Sequence, residues 1–177
     1  MRKCKKALRV VQRKIVKLFA YVGRDAYMKR YNKYLKKLGM NIVGTPRYIH
    51  PSVYFDGMDY SLITLGDRTV ISLGVVFLCH DFSIACGFRA LGDDLSREAY
   101  YLKPITIGSN VFIGANCTIL PGTTIGDNCI IGSGTVVKGS IEDDSIVVGS
   151  AGKAIANTKE WAERKRTLND YFIQDQG

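Results

Sequence analysis

From Ile107 to Glu142 the chain falls into six blocks of six residues: IGSNVF, IGANCT, ILPGTT, IGDNCI, IGSGTV and VKGSIE. Each block opens with an aliphatic residue (Ile107, Ile113, Ile119, Ile125, Ile131, Val137), and four follow it with glycine (Gly108, Gly114, Gly126, Gly132). Four residues after each opener comes a second small or β-branched position: Val111, Cys117, Thr123, Cys129, Thr135 and Ile141. Neither a helix nor a continuous strand repeats every six residues, so the pattern describes short strands joined by tight corners. Glycine beside a corner is expected to supply backbone angles that crowd a Cβ, and β-branched residues suit the extended pieces between corners. A sustained hexapeptide period predicts a parallel β-helix. The same phase extends upstream through LGDRTV, ISLGVV and FLCHDF at Leu65, Ile71 and Phe77, with Ile49 and Phe55 as still earlier openers.

The phase breaks between Phe82 and Ile107, where the residues are too polar and aperiodic for a buried coil, and then resumes. That predicts a segment of about 82–105 thrown out of the coil, a length that inside a compact domain marks a lid or binding loop. His80 stands at its mouth. Before the coil, Leu8, Val11, Ile15, Leu18, Phe19 and Val22 recur at helical spacing, followed by Tyr27, Met28, Tyr31, Tyr34, Leu35 and Leu38, with Gly39 to end a second helix. After Ile155 a charged stretch containing Trp161, Leu168, Tyr171 and Phe172 reads as a short terminal helix. The organisation expected is a helical segment 1–40, a β-helix 41–156 and a C-terminal helix or tail 157–177.

Charge changes this picture at one end only. Residues 1–40 hold fourteen Lys and Arg against Asp25 alone, for +13, while eleven bases and fifteen acids give residues 41–177 a net −4. One reading of the basic segment is a cap on the open end of the coil; another is contact with anionic phospholipid. The two are compatible. Nucleic acid is not expected, since no recognition motif or zinc pattern accompanies the basic residues. At 177 residues the chain can bury one useful core. Its five cysteines, odd in number and without close paired spacing, suit a reduced, cytosolic protein. No apolar run approaches a bilayer span, so attachment to the inner membrane face would be peripheral.

Together the blocks, the His80–Asp81 pair before the insert and the terminal stretch VVKGSIEDDSIVVGSAGKAI resemble the hexapeptide-repeat acyltransferases, in particular the sugar and polysaccharide O-acetyltransferases, over residues 41–156. The resemblance implies a left-handed β-helix with three blocks per coil, a homotrimer, and acetyl-CoA as acyl donor in a groove between neighbouring chains. A zinc-binding branch of the fold uses three histidines, and this chain has only His50 and His80, so no metal is expected. Nucleotidyltransferases that carry a β-helix need a long N-terminal α/β region that is absent here.

Acyl transfer to a hydroxyl requires a base, and imidazole can take the hydroxyl proton and return it to the departing thiolate. His80 is the expected general base; His50, before Pro51, has no such setting. Asp81 could orient the imidazole, bind acceptor hydroxyls or cap the turn into the insert, and an extended backbone there would point it away from His80. By resemblance Asp59 is a second candidate for acceptor contact, Phe112 borders the donor groove, the backbone at Ala115 and Ser133 follows the pantetheine arm, and Lys138 and Lys153 approach the nucleotide end of CoA. Backbone N–H groups are the expected oxyanion donors. Cys79 is set aside as a covalent nucleophile because neighbours in an extended strand point apart and a thiol needs activation. The expected activity is acetyl transfer from acetyl-CoA to a hydroxyl of a surface polysaccharide or its lipid-linked precursor. The alternatives are a free sugar, amino sugar or antibiotic as acceptor, or a non-catalytic trimeric scaffold.

Overall fold

The computed structural model of the protein describes residues 11–92 and 97–168. Three short strands make each turn of a coil. The first turn is β1 (Asn41–Ile42), β2 (Tyr48–Ile49) and β3 (Tyr54–Phe55); the second is β4 (Ile63–Leu65), β5 (Val70–Ile71) and β6 (Val76–Phe77). A two-stranded antiparallel ribbon of β7 (His80–Asp81) and β8 (Tyr101–Leu102) leaves the coil here. The third turn is β9 (Ile105–Ile107), β10 (Phe112–Ile113) and β11 (Thr118–Ile119), and the fourth is β12 (Thr124–Ile125), β13 (Ile130–Ile131) and β14 (Val136–Val137). The last is β15 (Ser140–Ile141) and β16 (Ser145–Val148), against which β17 (Lys153–Asn157) folds back antiparallel.

Stacked turns form three parallel sheets: β1, β4, β9, β12, β15 (sheet A); β2, β5, β10, β13, β16 (sheet B, closed by β17); and β3, β6, β11, β14 (sheet C). The cross-section is a triangular prism with edges A–B, B–C and C–A. Register measures the coil directly. Phe112 pairs with Ile130 and Thr118 with Val136, 18 residues per turn. Val70 pairs with Phe112 at an offset of 42, which is one turn with the insert added. The insert is more than a loop, since it begins and ends in the ribbon and contains a helix, α3 (Ser83–Ala90).

Every opener of the blocks is buried, from Ile49 and Phe55 to Val137, and so are the second positions Thr69, Val75, Val111, Cys117, Thr123, Cys129 and Thr135; Ile141 is partly buried. Thr135 and Thr123 satisfy their buried hydroxyls on the carbonyls of Gly132 and Leu120, so a polar group costs little inside the coil. The reason for glycine after the opener differs from the expectation. Left-handed backbone is taken two residues later, by Asn110, Asn116, Asn128 and by Gly122 and Gly134. The glycines after the openers are instead demanded by stacking. A Cβ on Gly108 would lie 2.7 Å from the Gly126 carbonyl carbon, and one on Gly114 would lie 2.6 Å from Ser133 N.

Ahead of the coil, residues 11–18 are helical (α1), a 3-10 turn covers Phe19–Tyr21, and α2 spans Arg24–Lys37. α2 closes the open end of the prism. It buries Tyr27, Met28, Tyr31, Tyr34 and Leu35 over the first turn, and the Tyr27 hydroxyl donates to the Ile49 carbonyl at 2.8 Å. The tyrosine that fits here does so because its ring fills apolar space while its hydroxyl answers an unpaired strand carbonyl. α1 packs differently from expectation. Val16, Phe19 and Ala20 turn inward, whereas Val11, Ile15, Leu18 and Val22 stay exposed, because α2 already covers the coil end. Leu8 lies outside the described residues, as do Tyr171 and Phe172 beyond the terminal helix α4 (Thr158–Leu168).

Candidate active site

The insert leaves the prism at the C–A edge, and the chemistry gathers there. Cys79 is the last inward residue of the second turn and fully buried. Alternation then turns His80 outward, where its side chain is 27 % exposed. One turn earlier on the same edge, Asp56 follows β3 and is only 2 % exposed. His80 Nδ1 and Asp56 Oδ2 are hydrogen-bonded. Asp56 Oδ2 also accepts the Cys79 backbone N–H at 3.1 Å, and Oδ1 accepts that of Met58 at 3.2 Å. A carboxylate has acceptors only, so this contact puts the imidazole proton on Nδ1 and leaves the Nε2 lone pair outward. Among the described residues Nε2 has no hydrogen-bond partner. The ring meets Phe82 edge-on at 5.5 Å, and Phe82 lies 5.0 Å from Tyr100 across the base of the insert. A held imidazole with one open nitrogen beside an aromatic wall can act as a base toward a hydroxyl placed there.

Asp56 is the residue that the sequence reading missed. Only part of the signal lies in the sequence, an acid where most blocks carry glycine or an apolar residue; the pairing of Phe55 with Phe77, which stacks the residues after β3 beneath those after β6, is seen only in the fold. Asp81 does not orient the ring. Its Oδ1 accepts the Ser83 backbone N–H at 2.7 Å and starts α3. Hydrogen bonds from the Ser83 backbone and then its side chain hold the Asp81 carboxyl below its ordinary value, with smaller help from His80 and from Lys138, which follows β14 on the same edge. Asp59 is similarly occupied. It accepts Ser61 N–H at 2.9 Å and the Ser61 hydroxyl at 2.7 Å, and these bonds lower its pKa. His50 bonds Ser52 through Nδ1 at the opposite, B–C edge of the first turn. The buried Cys79 thiol is pushed up to about 11, first by burial and then by Asp56 and Asp59, which opposes thiolate formation.

The other expected residues lie elsewhere on this chain. Ala115 and Ser133 sit on the B–C edge one turn apart, joined by a 3.1 Å bond from the Ala115 N–H to Ser133 Oγ. That N–H is therefore already engaged. Phe112 is exposed on sheet B, where it lines an open pocket of about 470 Å³ with Arg24, Arg47 and Arg68. Lys153 is exposed at the start of β17, beyond the last turn. Thus His80 and Lys138 share one edge, and Phe112, Ala115 and Ser133 follow another side of the prism. Among the described residues no three His, Cys, Asp or Glu side chains are grouped to hold a metal.

Comparison with known proteins agrees with this architecture. The sequence pattern of the bacterial transferase hexapeptide (six repeats) matches residues 104–139. A galactoside O-acetyltransferase of Escherichia coli (strain K12) is 29 % identical over 163 residues, covering 90 % of this chain and 74 % of that protein. Protein CapG of Staphylococcus aureus is 32 % identical over 137 residues, 77 % of each chain. Among solved structures, a galactoside acetyltransferase in complex with coenzyme A superposes with a TM-score of 0.61 at 22 % identity, over 96 % of this chain and 87 % of that one.

Proposed function

The chain belongs to the hexapeptide-repeat acetyltransferases, and from that premise we propose that it transfers acetyl from acetyl-CoA to a sugar hydroxyl, with His80 as general base and Asp56 as the group that holds it. The single observation that carries this reading is an imidazole whose Nδ1 is fixed on a buried carboxylate and whose Nε2 is open. Acetyl-CoA supplies an activated acyl group as a thioester. Nε2 takes the proton of the acceptor hydroxyl as its oxygen bonds the acyl carbon, Asp56 stabilises the imidazolium so formed, and Nε2 returns the proton to the departing thiolate. A histidine in this role is typically worth 10²–10⁴ in rate. Lys138 and Lys153 are cations suited to the CoA phosphates.

The coil is the left-handed β-helix of this family. Because the C–A edge carries His80 while Ala115, Ser133 and Phe112 lie along other parts of the prism, one groove unites them only between two chains. That supports a trimer with acetyl-CoA bound at each interface. The galactoside relative supports a sugar acceptor. We assign this acceptor to a surface polysaccharide or its lipid-linked precursor, a substrate that the basic N-terminal segment would meet beside an anionic membrane.

Calorimetric titration of acetyl-CoA, followed by a screen of glycosides and amino sugars for CoA thiol release, tests the reading. Saturation near one per chain is expected, with hydroxyl acceptors turned over and His80→Ala slower by about 10²–10⁴ while donor affinity is kept. A His80→Ala protein as fast as the parent, or one that binds no acetyl-CoA in either form, would sink it.

A further inference from the structure

α1 turns an apolar stripe away from the protein. Val11, Ile15 and Leu18 recur at helical spacing on its outer side, and Tyr21 and Val22 continue the stripe beyond it. Leu18, Tyr21 and Val22 are 62 %, 91 % and 74 % exposed. A helix serving only to cap the coil would do the reverse, and capping is the work of α2, whose Tyr27, Tyr31 and Leu35 are buried on the first turn. The stripe has a cationic margin. Lys14 is exposed beside it, and Ile15 shares an open groove of about 310 Å³ with Arg30, Lys33 and Lys37 of α2. Arg30 is held there with its guanidinium 4.1 Å from the centre of the Phe19 ring. Residues 11–40 carry nine Lys and Arg against one acid.

An exposed apolar stripe inside a cationic margin is the pattern of a helix that lies in the plane of a lipid interface. Charge complementarity selects the occupant. A second copy of the chain would bring two strongly positive surfaces together, whereas anionic headgroups neutralise one. We propose that α1 and the turn after it dock this protein on an anionic bilayer, with Val11, Ile15, Leu18, Tyr21 and Val22 entering the headgroup boundary and Lys14, Arg30, Lys33 and Lys37 meeting lipid phosphates. No helix among the described residues is long and apolar enough to cross a membrane, so the docking is parallel to the surface. It holds the end of the prism bearing α1 and α2 at the lipid. The inference does not depend on acetyl transfer.

Co-sedimentation of the full-length chain with phosphatidylcholine vesicles, with and without phosphatidylglycerol, tests it. Binding should require phosphatidylglycerol and weaken as salt rises. Lys33→Gln/Lys37→Gln should lower the partition coefficient by about fivefold per base, the equivalent of ~1 kcal/mol for each cation at the surface. Ile15→Asp/Leu18→Asp should lower it by at least tenfold while leaving circular dichroism and acetyl-CoA titration unchanged, since both positions are exposed. The proposal is overturned by absence of binding at low salt, by equal binding of Ile15→Asp/Leu18→Asp, or by a smaller oligomer in that variant, which would show that the stripe is covered by a neighbouring copy.

Discussion

Replacing Asp56 by asparagine keeps the shape of the side chain and removes one acceptor and the charge. The carboxylate now serves three donors: His80 Nδ1 and Cys79 N–H on Oδ2, and Met58 N–H on Oδ1. An amide has one oxygen. If that oxygen stays with Met58, the NH₂ faces Nδ1 and the Cys79 N–H, the ring accepts at Nδ1, and its proton moves to Nε2, where no base is left. If the amide turns over, the tautomer survives but the Met58 N–H faces a donor, and a neutral group steadies the imidazolium less. The expected loss in kcat is therefore about 10²–10⁴-fold, a barrier increase of roughly 3 to 5 kcal/mol. The site is 2 % exposed, so water cannot replace the lost acceptor, and folding stability should fall by about 1–3 kcal/mol.

The two effects are separable. CoA thiol release at saturating acetyl-CoA, well below the melting temperature of the variant, reads the barrier; urea unfolding reads the stability. Donor affinity should stay within about twofold of the parent, because Asp56 lies beneath the ring and away from the open nitrogen. Ring ¹⁵N shifts report the tautomer with no acceptor at all, and the parent should show the proton on Nδ1. A variant with kcat within about threefold of the parent and an unchanged tautomer refutes the assignment of Asp56.

Three further substitutions probe separate parts of the argument. Cys79→Ala should keep kcat within about threefold, and intact-mass spectra of the parent mixed with acetyl-CoA should show no acetylated protein, because burial and two carboxylates oppose the thiolate. Gly114→Ala should destabilise the coil by about 1–3 kcal/mol in urea unfolding, since the new Cβ would lie 2.6 Å from Ser133 N and 2.9 Å from the Ile131 carbonyl oxygen. Tyr27→Phe should cost about 1–3 kcal/mol in the same assay by leaving the Ile49 carbonyl unpaired under α2; an unchanged midpoint would show that the hydroxyl bond contributes nothing to the cap.

The coil was legible because one residue type repeated in one phase sets the strands, the corners and the inside of the prism together, from Ile49 to Val137. His80 was legible because the phase breaks beside it. Asp56 was not. The early turns advance by more than 18 residues, as the pairing of Tyr54 with Val76 shows, so counting back one regular turn of 18 from His80 lands on Leu62 and misses Asp56. The glycines were found for the wrong reason: their positions follow from the period, but the close approach of Gly114 to Ser133 exists only between turns. The outward face of α1 was hidden for a related cause. Helical spacing says that Val11, Ile15 and Leu18 share a side, and only the packing of α2 on the coil decides which side is left over.

Division of the expected site between prism edges leads to one more test. If each groove takes His80 from one chain and Ser133 from the next, two inactive proteins can repair each other. His80→Ala lacks the base, and Ser133→Trp fills the B–C edge, where Ser133 is exposed one turn above Ala115. In trimers reassembled from an equal mixture, a groove is intact when its base comes from a Ser133→Trp chain and its other wall from a His80→Ala chain. For random assortment in a closed ring this holds for about one groove in four. Thiol release by the mixture should therefore reach about a quarter of the parent rate, whereas each variant reassembled alone stays inactive. A site contained within one chain would give no recovery, because every chain in the mixture carries one of the two defects. The expected fraction depends only on which chain supplies which edge, so the measurement does not require the natural acceptor, and any glycoside that is turned over will serve.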